Sequence, residues 1–140
     1  MATNTTPIFP LTPATVTCSI AAANTANDGS GAVVDAITGG TFGTIVYQVN
    51  AVSAQTSLAA FGTKVVTLFL TDSSGSNPRH LGDISMTGAT PSTTVAAVTY
   101  SWYPPNGQLR LVSGQKIQVK QTIYAGAQDL THVVTFADNY

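Results

Sequence analysis

The segment from Thr63 to Leu81 constrains the fold of this chain more than any other stretch. Its first half sends apolar side chains to both sides of an extended strand, with Val66, Leu68 and Leu70 opposite Val65, Thr67 and Phe69. Turn-forming residues follow from 72 to 78, and residues 79–86 alternate again. A strand that is apolar on both faces is buried on both faces. The sequence therefore predicts a β-hairpin at the centre of the core.

The rest of the chain consists of short alternating runs separated by turns rich in Gly, Pro, Asn and Ser. Further strands are predicted over 14–22, 32–38, 44–52, 94–103, 109–112, 116–124 and 130–136. Residues 53–62 tolerate a helical turn, but Gly62 and the flanking strands favour a loop. This spacing is typical of an all-β, antiparallel β-sandwich, most simply a jelly roll. We expect residues 14–140 to form a single domain of this kind.

Residues 1–13 differ from the rest and predict an extended N-terminal arm. Prolines alternate there with large apolar residues, in the order Pro7, Ile8, Phe9, Pro10, Leu11 and Pro13. This pattern excludes helix, and twelve polyproline-like residues would reach about 37 Å. Burying the three apolar side chains yields about 5 to 8 kcal/mol, whereas ordering a dozen residues costs on the order of 12 kcal/mol. The arm is therefore either an edge or frayed end of its own domain, or a segment that docks Ile8, Phe9 and Leu11 on a neighbouring protein.

Charge is scarce in this sequence. Only 8% of the 140 residues are charged, Glu is absent, and the net charge is −1. The five Lys and Arg residues are spread along the chain, which argues against nucleic-acid binding. Neither a signal sequence nor an apolar run of about 18 residues is present, so we expect no membrane association. Because so few charges hold copies of the chain apart, the composition predicts a homo-oligomer.

The residue types that carry catalysis or bind metals are isolated in the sequence. Four of the six acids, Asp28, Asp72, Asp129 and Asp138, fall at turns or near the end of the chain. His80 and His132 lack ligands at metal-binding spacing, and the lone Cys18 occupies an apolar strand position. The loop 24–31 suits an Asx-rich turn, although a Ca²⁺ site remains an alternative. We expect no enzyme activity, no metal and no cofactor.

Two groups of residues are candidates for a protein interface besides the arm. Tyr100, Trp102 and Tyr103 form an aromatic cluster at a strand end, which suits core or edge packing, stacking on a sugar, or a subunit contact. Arg79 and Arg110 either form charge-assisted bonds across a subunit boundary or stay solvated. With Ile8, Phe9 and Leu11, these residues are the predicted interface.

Two segments resemble small virion structural proteins of tailed bacteriophages. Residues 21–31, AAANTANDGSG, resemble the AANT-x-x-DG-[ST]-G opening of those proteins. Residues 68–72, LFLTD, and residues 90–92, TPS, resemble their later RLFLHDG and TPS segments. The chain departs from that pattern in ending with FADNY instead of a Phe-Gly-Gly-Asp sequence.

The resemblance implies a capsid decoration, or cement, protein that binds and stabilises the shell of the major capsid protein. It implies a trimer, synthesis in the host cytoplasm and a location on the capsid surface of the virion, with no catalytic residues. The alternative function is a receptor-binding or carbohydrate-binding module of a phage tail or tail fibre.

Overall fold

The computed structural model describes residues 12–53, 64–87, 94, 96–123 and 130–140. These residues form ten β-strands and one 3₁₀ turn, Pro105–Gly107. The strands are β1 (Thr12–Pro13), β2 (Val16–Ile20), β3 (Val34–Thr38), β4 (Thr44–Ser53), β5 (Lys64–Thr71), β6 (Arg79–Met86), β7 (Thr99–Trp102), β8 (Leu109–Leu111), β9 (Lys116–Gln121) and β10 (Thr131–Asn139). Of the predicted loop at 53–62, only residue 53 is among the described residues. Residues 1–11 of the predicted arm lie outside them.

The strands form two antiparallel sheets. One sheet has the order β1-β10-β4-β7, with β2 also paired to β10 and β8 also paired to β4, which makes six strands. The other has four strands in the order β3-β9-β5-β6. The chain is thus an all-β, antiparallel sandwich of the jelly-roll type, as the sequence predicts.

The core lies between the two sheets. It is built from the inward-facing apolar residues of both, among them Val66, Leu68, Val119, Val49 and Val133, each of which is fully buried. The predicted central hairpin is confirmed, because β5 pairs with β6 from Lys64 opposite Met86 to Leu70 opposite Arg79. On its other edge β5 pairs with β9, so it is an interior strand of its sheet.

The loop 21–33, which joins β2 to β3, covers the outer face of β9 and β5 in the four-stranded sheet. The backbone N–H of Asn24 donates to the carbonyl of Gln121 at the end of β9. Further along the loop, Gly29 packs against Pro78 and lies near the ring of Phe69. Phe69 is only 1% exposed although it is not part of the core between the sheets. This covering loop explains why β5 carries apolar residues on both of its faces.

A side chain within the covering loop holds it together. Asn24 is buried, and its Nδ2 donates to the carbonyls of Ser30 at 2.7 Å and Ala32 at 2.9 Å. Its Oδ1 accepts from the backbone N–H of Ala26 at 3.0 Å. One amide thus bridges both ends of the loop. Gly29 has φ 81°, in the left-handed region where glycine is favoured.

A chain of buried polar groups links the two sheets at one end of the sandwich. Lys64 on β5 donates from Nζ to Oγ1 of Thr131 on β10 at 3.2 Å. The hydroxyl of Thr131 donates to Oε1 of Gln121 on β9 at 2.5 Å, and Gln121 Nε2 donates to the carbonyl of Ile20 at 3.2 Å. These three side chains are fully buried. Because buried polar groups need partners, the chain fixes how the sheets align at this end.

Several strand boundaries differ from the sequence prediction, and two of the differences have a structural reason. Of the strand predicted over 94–103, the described residues that pair are Thr99–Trp102, opposite Val49–Val52 of β4. The final strand is longer than predicted, because a register shift between Phe136 and Ala137 lets β10 continue beside β4 to Asn139.

The last two residues of the predicted arm belong to a sheet. Thr12 pairs with Asn139 and Pro13 pairs with Asp138, so the chain joins the edge of β10 before it enters β2. Docking of the arm itself stays a prediction, because residues 1–11 lie outside the described part.

Candidate protein interface

The outer face of the six-stranded sheet is left uncovered by the described loops. We call it the open face. Its outward side chains are exposed or half-buried, and they are mostly uncharged polar or aromatic residues: Thr17, Ser19, Gln48, Asn50, Ser101, Tyr103, His132 and Phe136. Tyr103 is 62% exposed. A surface poor in charge and rich in aromatic and amide groups is typical of the centre of a protein interface.

Hydrogen bonds order the middle of the open face. Gln48 Nε2 lies 2.6 Å from Oδ1 of Asn50, 3.2 Å from Oγ of Ser101 and 3.2 Å from the hydroxyl of Tyr103. This amide thus connects β4 to β7 and positions the exposed ring of Tyr103. The arrangement is a preordered polar patch around an aromatic residue.

A bulge brings another aromatic residue to the edge of the open face. Because Gln48 pairs with Phe136 and Val46 with Ala137, Tyr47 has no residue opposite it on β10. Its hydroxyl donates to Oδ2 of Asp138 at 3.0 Å, and this hydrogen bond to a carboxylate raises the pKa of Tyr47.

A serine and a histidine also meet on the open face. Ser19 Oγ and His132 Nδ1 are 2.7 Å apart on the paired strands β2 and β10. Within the described residues His132 has no carboxylate partner to orient it, and both side chains lie on an exposed strand surface. The pair lacks the third group that orients the base of a hydrolytic triad.

The predicted aromatic cluster is divided between the core and the surface. Tyr100 and Trp102 are half-buried and pack against the core, whereas Tyr103 is exposed. The indole Nε1 of Trp102 would lie 2.4 Å from a Cβ at position 82, so Gly82 on β6 is needed for this close approach between the sheets. Tyr100 donates from its hydroxyl to the carbonyl of Thr87. Tyr103 is the member of the cluster that is available for contact.

The two candidate arginines lie at the same end of the sandwich, where β5 and β8 end and β6 begins. Arg79 is exposed beside Asp72, Asn77 and Pro78 in a shallow cavity of about 490 Å³. Arg110 donates from Nε and Nη2 to the hydroxyl of Tyr140 at 3.0 and 2.5 Å.

Beside Arg110 lies a second cavity of about 590 Å³, which we call the end groove. Its lining includes Thr41, Phe42, Gly43, Arg110, Val112 and Tyr140. Phe42 is 80% exposed and Val112 is 67% exposed, so the groove presents apolar side chains to solvent.

Carboxylates in the described loops bind their own backbone. Asp28 accepts from the backbone and hydroxyl of Ser30, and these hydrogen bonds hold the pKa of Asp28 below its usual value. Asp72 does the same with Ser74, Ser76 and Asn77, which lowers its pKa. The loop 24–31 therefore has the bonding of an Asx-rich turn.

The described residues contain no group of three or more His, Cys, Asp or Glu that could hold a metal ion. Burial raises the pKa of the Cys18 thiol to about 11, as expected of a cysteine packed against a core. In the part of the chain that the structure describes, no helix has the length and apolar character needed to cross a membrane.

Several of these residues escape sequence reasoning. Phe42 stands in a turn, where a single apolar residue carries no periodic signal, and Ser19 and His132 are 113 positions apart. Val112 was predicted to end a strand but lies just beyond β8. The bulge that exposes Tyr47 depends on strand register, which one sequence does not reveal.

The chain matches no protein-family model, and no curated protein matches its sequence. Solved structures that are similar include a pentameric capsid protein from metagenomic phage sequences, with 14% identity, a TM-score of 0.39, and coverage of 89% of this chain and 67% of that one. The globular domain of zebrafish complement 1qA protein has 14% identity, a TM-score of 0.41, and coverage of 88% and 94%. The Eiger TNF protein of S. frugiperda has 15% identity, a TM-score of 0.36, and coverage of 73% and 64%. Likeness at this level is one of general β architecture, and we transfer no function from it.

Proposed function

We propose that this chain is a non-enzymatic structural protein of a tailed-phage virion. In this proposal it decorates the capsid, packs on the major capsid protein as a homo-oligomer, most simply a trimer, and stabilises the shell. The sequence resemblance of residues 21–31 and 68–72 to phage virion proteins supports the class of protein. The open face supports the mode of action.

The open face is the single observation that carries the proposal. Its centre combines the exposed ring of Tyr103 with the amides of Gln48 and Asn50, and few charges surround them. Aromatic residues with few charges dominate the binding energy of protein interfaces, whereas a free monomer normally surrounds them with Lys and Glu. This face is therefore suited to a second protein surface.

The residues that carry the sequence resemblance support a structural role as well. Asn24 bridges the covering loop, and Leu68 is fully buried between the sheets. Both serve the fold. The residues that resemble the phage proteins therefore stabilise the fold, and the proposed binding function depends on other residues, at the surface.

The test has two parts. The protein is located in imaged phage particles, and a residue of the open face is substituted to see whether binding to capsids is lost. Asn50→Lys adds a charge to the centre of that face, and we expect it to reduce occupancy on capsids at least about tenfold, the equivalent of one desolvated charge. Ser85→Lys, which adds the same charge to an exposed position on β6, is the matched control and should bind normally.

Two results would contradict the capsid-decoration role. One is undiminished shell occupancy and shell stability with Asn50→Lys. The other is a location on the tail together with glycan binding by the isolated protein, which would favour the receptor-binding alternative. Light scattering that shows only monomer at high micromolar concentration would contradict the trimer.

A further inference from the structure

The end groove exposes large apolar side chains that the fold itself does not require. Phe42 lies in a turn and Val112 lies just beyond β8, and neither belongs to the core between the sheets. The charged residue in the lining, Arg110, already donates to the hydroxyl of Tyr140. The groove is thus an apolar site bordered by an aromatic ring, which suits apolar side chains and offers little to an ionic ligand.

The N-terminal arm enters the fold beside this groove. Thr12 pairs with Asn139, the neighbour of Tyr140, so residues 1–11 connect to the sandwich at the end where the groove opens. The arm carries Ile8, Phe9 and Leu11, and their burial needs a partner outside the arm. An apolar segment and an apolar groove therefore share one end of the molecule.

Strand order sets the distance between Thr12 and the far side of the groove in the same chain. Thr12, Asn139, Thr44 and Leu111 lie side by side, so three strand spacings, about 14 Å, separate the start of β1 from β8. Reaching across would require a sharp turn next to Thr12. Pro13 opposes a turn at Thr12 itself, because a proline keeps the residue before it extended.

We propose that the apolar residues of the arm, Ile8, Phe9 and Leu11, dock in the end groove of a neighbouring copy of this chain. At Thr12 the chain runs antiparallel to β10, so the direction toward the N-terminus leads past the end of β10. Eleven extended residues could span about 34 Å. Such a contact joins two different surfaces, the arm of one copy and the groove of the next. It produces a closed ring when the rotation from each copy to the next adds up to one full turn. This proposal rests on the homo-oligomer of the proposed function.

Disulfide trapping tests it directly. In a background in which Cys18, the one cysteine of the chain, is replaced by Ala, Phe9→Cys and Val112→Cys are made separately and mixed. Oxidation should give a heterodimer that contains one copy of each variant. Val98→Cys, at a 51% exposed site beside the start of β7 at the other end of the sandwich, is the matched control for the acceptor and should give no such product.

The outcomes separate clearly. Linkage only within one chain, seen as a shifted monomer in a Phe9→Cys/Val112→Cys double variant, would place the arm on its own domain and overturn the proposal. Equal trapping with Val98→Cys, or no trapping at all, would overturn it as well. Binding to capsids tests the proposed function separately. If the disulfide-linked heterodimer forms as expected but the protein does not bind capsids, only the decoration role is refuted.

Loss of function gives a second measurement. Deletion of residues 2–11 and the pair Phe42→Ser/Val112→Ser should each weaken self-association by about tenfold or more. Combining the deletion with the pair should weaken it no further, because both remove the same contact. Additive losses would show that arm and groove act at different places.

Discussion

The outer faces of the two sheets differ in what covers them. On the four-stranded sheet the loop 21–33 lies over β9 and β5, and Phe69 is as buried there as any core residue. On the six-stranded sheet the side chains of Gln48, Ser101 and Tyr103 face solvent. Among the described residues, the chain thus covers part of one outer face with its own loop and leaves the other face exposed.

The difference shows how apolar content is to be interpreted in a β-sandwich with few charges. Apolar residues on an outer face indicate a covering loop when a long connection lies nearby, as at Phe69. Exposed aromatic residues among amides and hydroxyls, as at Tyr103, have the composition that protein interfaces favour, and a contact there stays a prediction. Substitutions on the two faces should consequently have different effects on stability.

The largest effect is expected at Phe69. Phe69→Ala removes a ring that is buried beneath the covering loop, and it should lower the free energy of unfolding by about 3 to 5 kcal/mol. Phe136→Ala, on the open face, is the matched control and should cost about 1 kcal/mol or less. Urea denaturation of both variants measures the contrast. Equal losses would mean that the loop does not bury Phe69 and would remove the distinction between the faces.

Asn24→Ala tests the covering loop itself. It deletes three hydrogen bonds between the buried Asn24 side chain and the loop backbone and should cost about 2 kcal/mol, since the carbonyls of Ser30 and Ala32 lose their donor. Asn50→Ala on the open face is the control and should change stability by less than about 0.5 kcal/mol. A loss no larger than that of the control would show that the loop is held by other contacts.

Acid should destabilise the covering loop through Asp28. Hydrogen bonds from the side chain and backbone of Ser30 hold its pKa below the usual 3.8. A lowered pKa in the folded state contributes stability that is present above the unfolded pKa and is lost as pH falls through the folded pKa. The urea concentration at the midpoint of unfolding should therefore decrease as the pH is lowered below about 4. The decrease should be less steep in Asp28→Asn. Identical acid profiles for the two proteins would contradict this assignment.

The smallest effect on stability is expected at Tyr103. Tyr103→Ser removes an exposed ring and should leave the free energy of unfolding within about 0.5 kcal/mol of the original value. Self-association or capsid occupancy should nevertheless fall, because exposed aromatic rings contribute strongly to interfaces. A stable variant with unchanged association would show that the partner binds elsewhere.

The fold class was predictable because its signals are local. Period-two alternation and turn residues between 72 and 78 locate the central hairpin, and the same signals place most other strands within a few residues. The strand at 94–103 is overestimated because the alternation extends beyond Thr99–Trp102, the described residues that pair with β4. Pairing between distant strands sets strand length, and a single sequence does not display it.

The candidate interface was less accessible to prediction for the same reason. The aromatic cluster at 100–103 could be found, but its division into inward Tyr100 and Trp102 and outward Tyr103 follows from strand register. The end groove combines residues from the turn at 41–43, from 110–113 and from the last position. Such a site arises only when three distant segments meet, so isolated residues such as Phe42 gave no signal.

The contact between Trp102 and Gly82 provides an optical reporter. Trp102 is the one tryptophan of the chain, and its indole bridges β7 of one sheet and β6 of the other. Indole fluorescence shifts to longer wavelength when the ring enters water, so separation of the two sheets should be visible without any label. A loss of Trp102 fluorescence intensity, or a shift to longer wavelength, on mixing with capsids would show that the two sheets separate when the protein binds.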